Sequence, residues 1–315
     1  MIGVITALVF CVIVPVVIMA MLIPSLDKTA PKTSNYRGVM VYNGLGIVWF
    51  VWLISFWIGA QLLVLLKLEL PTWIIYLERL FPLLAGSCAF GLFDDWLGSH
   101  QIKGFRGHLR ELFHGRLTTG GLKFLGIGFL SLFLAVALYF DGPASLLKVV
   151  LVACVIAFMA NLMNLMDLRP GRAGKMYVLG LLVGIVFIGV FGLFSSAAWV
   201  NIVALTLAAL GPLVAVWRFD VREKGMLGDA GANSMGVFLG FMYATALPLW
   251  GLAVVAVILA ALNLLSERFS FSKVIAGNRV LTFLDELGRK KALTQAAGVI
   301  EHNVEVEGDN DQSTM

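Results

Sequence analysis

The sequence has few charged residues. Only 13% of its 315 residues are Asp, Glu, Lys or Arg, while 60% are hydrophobic. A typical soluble domain has about 25% charged residues, so this composition excludes a soluble globular protein. Cysteine is scarce as well: Cys11, Cys88 and Cys154 lie in apolar segments without metal-ligand spacing. We therefore expect packing residues there and no disulfide framework.

Long stretches of the chain carry no charge at all. A helix that crosses a bilayer needs about 20 apolar residues, and backbone groups in lipid must be satisfied internally. We expect the two longest stretches to break at Ser195-Ser196 and at Pro248, and Glu78 and Arg79 to reach the interface. This pattern predicts an all-α polytopic membrane bundle of about nine transmembrane helices. The charge-free ranges are 1–26, 38–66, 80–93, 124–140, 149–166, 176–217 and 230–266.

The basic residues predict the orientation of the bundle. If nine spans alternate, all of the 23 Lys and Arg except Lys67, Arg79 and Lys148 lie on one side. The positive-inside rule makes that side cytoplasmic, with the N-terminus outside and the C-terminus inside. We expect a transmembrane domain over 1–292, including a retained first span, and a polar, disordered tail over 293–315.

Acidic residues also gather at the predicted cytoplasmic face. Asp94 and Asp95 follow the third apolar stretch directly, and two adjacent carboxylates at a membrane border need a cation or a shared proton. Asp229 begins the eighth span between Gly228 and Ala230, where a helix N-terminus attracts anions. The alternatives are a hydrated helix end for the pair and a simple N-cap for Asp229.

A polar stripe and a group of cations adjoin these carboxylates. Asn161, Asn164 and Asp167 recur every three residues, on one face of the fifth span. Interhelical hydrogen bonds would also explain this stripe. Four cations could bind phosphate or serve topology alone. They are Arg169, Arg172 and Lys175 in the turn after the stripe, and Lys123 after Thr118-Thr119-Gly120-Gly121.

Each of these groups is ambiguous alone, but all of them end on one membrane face. Carboxylates, amides and basic side chains together favour Mg²⁺-assisted chemistry on a phosphorylated substrate that arrives from the cytoplasm. The sequence offers no sign of a nucleic-acid partner, and it leaves a homodimer possible.

In matching order, these motifs resemble the polyprenyl-phosphate N-acetylhexosamine-1-phosphate transferases, the family of the phospho-MurNAc-pentapeptide translocase. The resemblance extends from about Asn35 to Asp229. The similar motifs are Asn35-Tyr36-Arg37-Gly38 with Asn43-Gly44, Phe93-Asp94-Asp95, Lys123, Asn161-x-x-Asn164-x-x-Asp167, and Gly228-Asp229-Ala230-Gly231.

The resemblance implies transfer of a sugar-1-phosphate from a nucleotide sugar, with UDP as the expected nucleotide, to a polyprenyl phosphate. This reaction would serve peptidoglycan or other cell-wall synthesis at the bacterial inner membrane. Asp94, Asp95 and Asp229 would be catalytic, with Mg²⁺ at Asp229 and Asp94. The substrate-binding residues would be Lys123, Asn161, Asn164, Asp167, Arg169, Arg172 and Lys175.

The sequence also departs from the family pattern. Pro170 stands where the family has a second Asp, a position associated with the nucleotide, and the family's His-rich motif and tenth span have no counterpart. Three alternatives follow. The chain could be an inactive, family-like scaffold for an envelope-assembly partner, a secondary transporter, or a CDP-alcohol phosphotransferase. Carboxylates at one face argue against a midplane transport site, and the Asp-rich helix of the phosphotransferases is not found.

Overall fold

The computed structural model describes residues 1–98, 104–191 and 198–289. About 80% of the chain is helical, and eight helices of the described part are long and apolar enough to cross a membrane. These findings confirm the prediction of a polytopic helical bundle. The long helices are α1 (Ile2–Thr29), α2 (Val48–Leu65), α3 (Thr72–Leu97), α5 (Thr119–Tyr139), α6 (Leu146–Met166), α7 (Arg172–Val190), α8 (Ala198–Asp220), α9 (Gly228–Ala246) and α10 (Leu249–Ser266); the short ones are α4 (Gly104–Phe113), α11 (Phe271–Ala276) and α12 (Arg279–Glu286).

The helix boundaries match the break predicted at Pro248. Pro248 is the N-cap of α10, so the last long apolar stretch divides there. The break expected at Ser195-Ser196 falls between α7 and α8, outside the described residues. The third helix is longer than its charge-free stretch, because it includes Glu78 and Arg79 in its second turn.

The central helix of the bundle is α9. Polar residues such as Asp229 and Asn233 keep it outside the set of eight apolar helices, yet nearly all of its residues are buried. Small residues allow its neighbours to approach closely. A Cβ added to Gly236 would collide with Ala160 of α6, and one added to Gly240 would lie 2.6 Å from the Ile156 Cα. An all-round buried helix of this kind positions its own N-terminus firmly against the helices around it.

A small three-stranded sheet lies beside that N-terminus and was not expected from the sequence. Strands β1 (Lys32–Ser34) and β2 (Met40–Asn43) form an antiparallel hairpin, and β3 (Gly225–Met226) pairs in parallel with β2. Alongside the sheet, the backbone N–H of Gly46 donates to the carbonyl of Leu227 at 2.9 Å. The sheet therefore connects the segment before α2 to the segment before α9.

Candidate functional site

Two carboxylates bind the N-terminus of α9. The carboxylate of Asp95 accepts hydrogen bonds from the backbone N–H groups of Asp229 at 2.9 Å and Ala230 at 3.1 Å. Asp167 accepts the N–H of Gly228 at 3.0 Å. The first N–H groups of a helix lack partners within the helix and carry partial positive charge. Asp95 and Asp167 thus orient the helix that carries Asp229.

Gly228 makes this arrangement possible. Its φ of +71° lies in the left-handed region, and an added Cβ would meet the Asn43 Oδ1 at 2.5 Å and the Asp95 Oδ2 at 2.6 Å. The Asn43 side-chain amide also donates to the Asp95 Oδ1 at 3.1 Å. Both oxygens of Asp95 therefore have donors from the protein.

Asp94, the neighbour of Asp95, belongs to a different cluster. Its Oδ2 accepts the Lys123 ammonium at 2.7 Å and its Oδ1 accepts the Thr119 hydroxyl at 2.6 Å. Lys123 also donates to the carboxylate of Asp229. We call Asp94, Lys123 and Asp229 the acidic cluster. These side chains retain 18%, 14% and 23% exposure respectively, so a ligand can reach them.

The charge around the acidic cluster is not balanced by Lys123 alone. The carboxylates of Asp94, Asp95, Asp167 and Asp229 converge on one region, and a single ammonium contacts two of them. Burial raises the pKa of Asp167 well above its usual range, and the carboxylates of Asp220, Asp95 and Asp229 raise it further. Excess negative charge of this kind favours binding of a further cation or a proton.

The predicted metal residues fit a small hard cation. Asp94 and Asp229 point at one shared position, where the Lys123 ammonium now provides the positive charge. Mg²⁺ is usually held by one or two carboxylates, with water and substrate phosphates completing its shell. Among the described residues, no group of three or more His, Cys, Asp or Glu is arranged to hold a metal. Asp94 and Asp229 alone would leave most of the shell of such an ion to water and to a substrate phosphate.

The predicted polar stripe divides into separate roles. The Asn161 amide donates to the Asn263 Oδ1 of α10 at 2.5 Å, and Asn263 donates to the Phe158 carbonyl at 3.1 Å. Asn161 therefore makes an interhelical hydrogen bond, which is the alternative explanation given above for the polar stripe. The Asn164 side chain forms no hydrogen bond with the described residues. Of the three, only Asp167 joins the carboxylates around α9.

Two of the three cations expected to bind the donor have partners inside the protein. The Arg172 guanidinium is 3% exposed and forms a bidentate pair with Asp285 at 2.7 and 3.0 Å. The Lys175 ammonium donates to the carbonyls of Leu284 at 3.0 Å and Asp285 at 2.6 Å. These two cations hold α12 against the start of α7. Their internal contacts therefore give Arg172 and Lys175 a structural role, while the expected contact with the donor stays a prediction.

Arg169 is placed differently from the other two. Its guanidinium stacks on the Tyr36 ring, 5.3 Å from the centroid, beside the turn of the β1–β2 hairpin. Such a cation-π contact at a half-exposed position is worth about 0.5–1 kcal/mol. A ligand could therefore recruit Arg169 without breaking the buried ion pair that holds Arg172 or the carbonyl hydrogen bonds that hold Lys175.

Several residues at this end of the bundle were missed from the sequence. Asp220 accepts the backbone N–H of Gly171 at 2.8 Å, and Glu223 accepts the amide of Asn35 at 3.0 Å. Asp220 ends an apolar helix as Asp94 and Asp95 do, so the same signal could have found it. Asp285 and Asn263 gave no local signal, because their partners lie far away in the chain.

Comparison with protein-family models and with curated proteins finds no match for this sequence. The family resemblance therefore rests on the ordered motifs alone.

Proposed function

We propose that this protein transfers a sugar-1-phosphate from a nucleotide sugar, with UDP as the favoured nucleotide, to a polyprenyl phosphate at the cytoplasmic face of a bacterial membrane. The observation that carries the proposal is the acidic cluster. Asp94 and Asp229 come from helices far apart in sequence and converge on one cation position beside a fixed helix N-terminus. An enzyme that handles phosphates needs positive charge placed in such a partly open site.

In the proposed reaction, an oxygen of the lipid phosphate attacks the phosphorus attached to the sugar. A new P–O bond forms there, and the bond to the bridging oxygen of the donor diphosphate breaks. The nucleoside monophosphate leaves with that electron pair. Asp94 would orient the lipid phosphate and accept a proton from it when it is protonated. Lys123 would turn from the carboxylates to a phosphate oxygen, where its charge offsets the charge of the transition state.

Asp94 and Asp229 would hold Mg²⁺, and bound Mg²⁺ would supply Lewis-acid stabilisation of the phosphate oxygens. Asp95 has a different role in this scheme. Because both of its oxygens accept donors from α9 and Asn43, it is a positioning residue that keeps Asp229 in place. We accordingly assign substrate contact to Asp94 rather than to Asp95.

One arrangement favours a second candidate function, the inactive scaffold. Pro170 replaces an acidic residue of the family, and Arg172 and Lys175 are engaged with α12. A chain that had lost its donor site would keep such a fold without turnover. Its acidic cluster would then serve only to hold α3, α5 and α9 together.

The first prediction decides between these two functions. The purified protein, incubated with Mg²⁺, polyprenyl phosphate and a panel of radiolabelled nucleotide sugars, should form labelled lipid with at least one donor. Asp229→Asn keeps the shape of the side chain but removes its charge, so we expect turnover to fall at least about 100-fold, as for loss of a transition-state contact of about 3 kcal/mol. Asp94→Asn should behave in the same way.

The matched control is Asp27→Asn, since Asp27 is an exposed carboxylate that pairs only loosely with Lys32 at 3.7 Å. It should retain the parent's rate. Activity of Asp229→Asn near that of the parent at limiting Mg²⁺ would remove the acidic cluster from the mechanism. Absence of turnover by the parent with every donor would favour the scaffold.

A further inference from the structure

A groove lies between α3 and α5, near the ends of these helices opposite to the acidic cluster. Its volume is about 480 Å³, within the range of about 300–1,000 Å³ typical of ligand pockets. Along α3, Arg79 of the groove is 15 residues from Asp94, which corresponds to about 22 Å. The groove is therefore separate from the candidate active site. Its lining residues are Arg79, Pro82, Leu83, Leu130, Phe133, Leu134, Ala137 and Leu138.

Two glycines bring α3 and α5 into close contact on the side of the groove nearer to the acidic cluster. Toward the acidic cluster, Gly126 of α5 lies directly against Phe90, and Gly86 of α3 lies directly against Leu130. Beyond Leu130, α5 contributes Phe133, Leu134, Ala137 and Leu138 to the groove, and α3 contributes Arg79, Pro82 and Leu83. Leu130 thus closes the inner end of the groove, and Phe133, which is 62% exposed, leaves its side open to the surrounding lipid.

The walls of the groove suit one hydrocarbon chain. From Leu130 to Leu138 the groove follows α5 for about 12 Å, and one leaflet of a bilayer has a hydrocarbon thickness of roughly 15 Å. Apart from Arg79, every lining residue is apolar. A straight acyl chain that enters the groove from the side can therefore lie along α5 for most of the thickness of one leaflet.

The rim of the groove offers positive charge. Arg79 forms no ion pair with the described residues, although Glu78 and Asp141 belong to the same end of the bundle. Lys148 lies over the Tyr139 ring at 4.1 Å, next to Leu138 of the groove. Pro82 has no N–H, so the carbonyl of Glu78 lacks its usual helical donor. This rim can bind both the phosphate and a hydroxyl of a lipid headgroup.

We propose that the groove binds one acyl chain of a bilayer phospholipid, whose headgroup phosphate contacts Arg79. An arginine at the membrane interface binds phosphate through two parallel N–H groups. The bound lipid would fill the space between α3 and α5 and so support the two helices that hold Asp94 and Lys123. This proposal does not depend on the transferase reaction.

The test is a lipid titration of the full-length, delipidated protein, followed by native mass spectrometry. Phosphatidylglycerol should bind as one retained molecule, and diacylglycerol with the same chains should bind much more weakly. Arg79→Gln should weaken retention of phosphatidylglycerol about tenfold, as expected for loss of one charge-assisted contact. Leu134→Trp should also weaken it, because the indole would fill the groove.

Two control variants make the result specific. Lys67→Gln removes an exposed cation at the same end of the bundle, and Leu132→Trp adds the same bulk on the exposed face of α5 outside the groove. Both should retain phosphatidylglycerol like the parent. Arg79 is exposed, so its substitution should not disturb folding, and its result stands even if Leu134→Trp is poorly expressed. Equal retention by the parent, Arg79→Gln and the controls would mean non-specific annular lipid only and would overturn the proposal.

Discussion

Lys123 serves as the cation of the acidic cluster when nothing else is bound. Its ammonium contacts Asp94 at 2.7 Å and also contacts Asp229, so it separates two carboxylates that would otherwise repel one another. In a partly buried site, such repulsion is costly unless a cation or a proton relieves it. A metal ion and Lys123 would therefore compete for the same position.

This competition gives the second prediction. Lys123→Met should lower the Tm of the detergent-solubilised protein in EDTA by roughly 5 °C, since about 2 kcal/mol of favourable interaction is lost. Mg²⁺ should restore most of that loss and should raise the Tm of the parent much less. Differential scanning fluorimetry with an EDTA and Mg²⁺ series measures both responses without any assay of turnover.

The double variant Lys123→Met with Asp229→Asn is the control. It keeps the same apolar replacement but has only one carboxylate at the metal position, so its Tm should respond weakly to Mg²⁺. If Mg²⁺ raises the Tm of the parent and both variants equally, the ion acts elsewhere and the two-carboxylate site is wrong.

Individual residues of the site were predictable to different degrees. Asp94, Asp95, Asp167 and Asp229 stood out because carboxylates at the ends of apolar stretches are costly, and the structure brings them together. Which of these carboxylates binds the α9 N-terminus and which contacts Lys123 was not predictable. It depends on how α3 and α6 pack around α9.

The docking of α12 depends on one buried carboxylate. The Asp285 carboxylate accepts hydrogen bonds from the Nε and Nη2 groups of Arg172 and pairs with Arg289 at 2.7 Å. Lys175 donates to the last carbonyls of the helix. Burial alone would raise the pKa of Asp285, but the hydrogen bonds and charges of Arg172 and Arg289 lower it to about 2. The sequence could not show this pairing, because Asp285 is far from Arg172 in the chain.

The third prediction concerns this helix. Asp285→Asn should detach α12 and cost roughly 3 kcal/mol, because it leaves a buried guanidinium without its counter-ion. Since the folded pKa of about 2 is below the unfolded value, the contribution of Asp285 is fully present above about pH 4 and is lost as the pH falls toward 2. The difference in Tm between parent and variant should therefore shrink over that range.

Thermal unfolding of both proteins between pH 2 and pH 7 measures the effect, and limited proteolysis near α12 reports where it arises. Glu286→Gln is the matched control, because Glu286 is the exposed neighbour of Asp285 in the same helix. A constant difference between parent and Asp285→Asn down to pH 2 would contradict the assigned role of the carboxylate.

The helices themselves were largely predictable, because charge-free stretches and Pro248 define them directly. The small sheet was not, since its strands have only three, four and two residues. Strands this short carry no alternating pattern. They form because α1, α2 and α9 bring three connecting segments side by side. The sheet then fixes Asn43 next to Asp95, so a site residue depends on a feature that local sequence could not predict.

The distribution of charge over the molecule underlies the last prediction, its orientation in the membrane. The ends of α3 and α6 and the start of α9 place Asp94, Asp167 and Asp229 together. The positive-inside rule predicts that this end faces the cytoplasm. The opposite end contains Arg79 and Asp141. Topology therefore decides whether the acidic cluster can meet a cytoplasmic nucleotide sugar.

Cysteine labelling tests this orientation. In intact spheroplasts, a membrane-impermeant maleimide should label Asp141→Cys, and it should label Arg222→Cys only after lysis, because Arg222 lies at the end that carries the acidic cluster. Both positions are exposed, whereas the native Cys11 and Cys88 are buried and should remain unlabelled. A reporter fused after Met315 should be active only in the cytoplasm. Labelling of Arg222→Cys in intact spheroplasts would place the acidic cluster outside, and a reaction with a cytoplasmic nucleotide sugar would then be impossible.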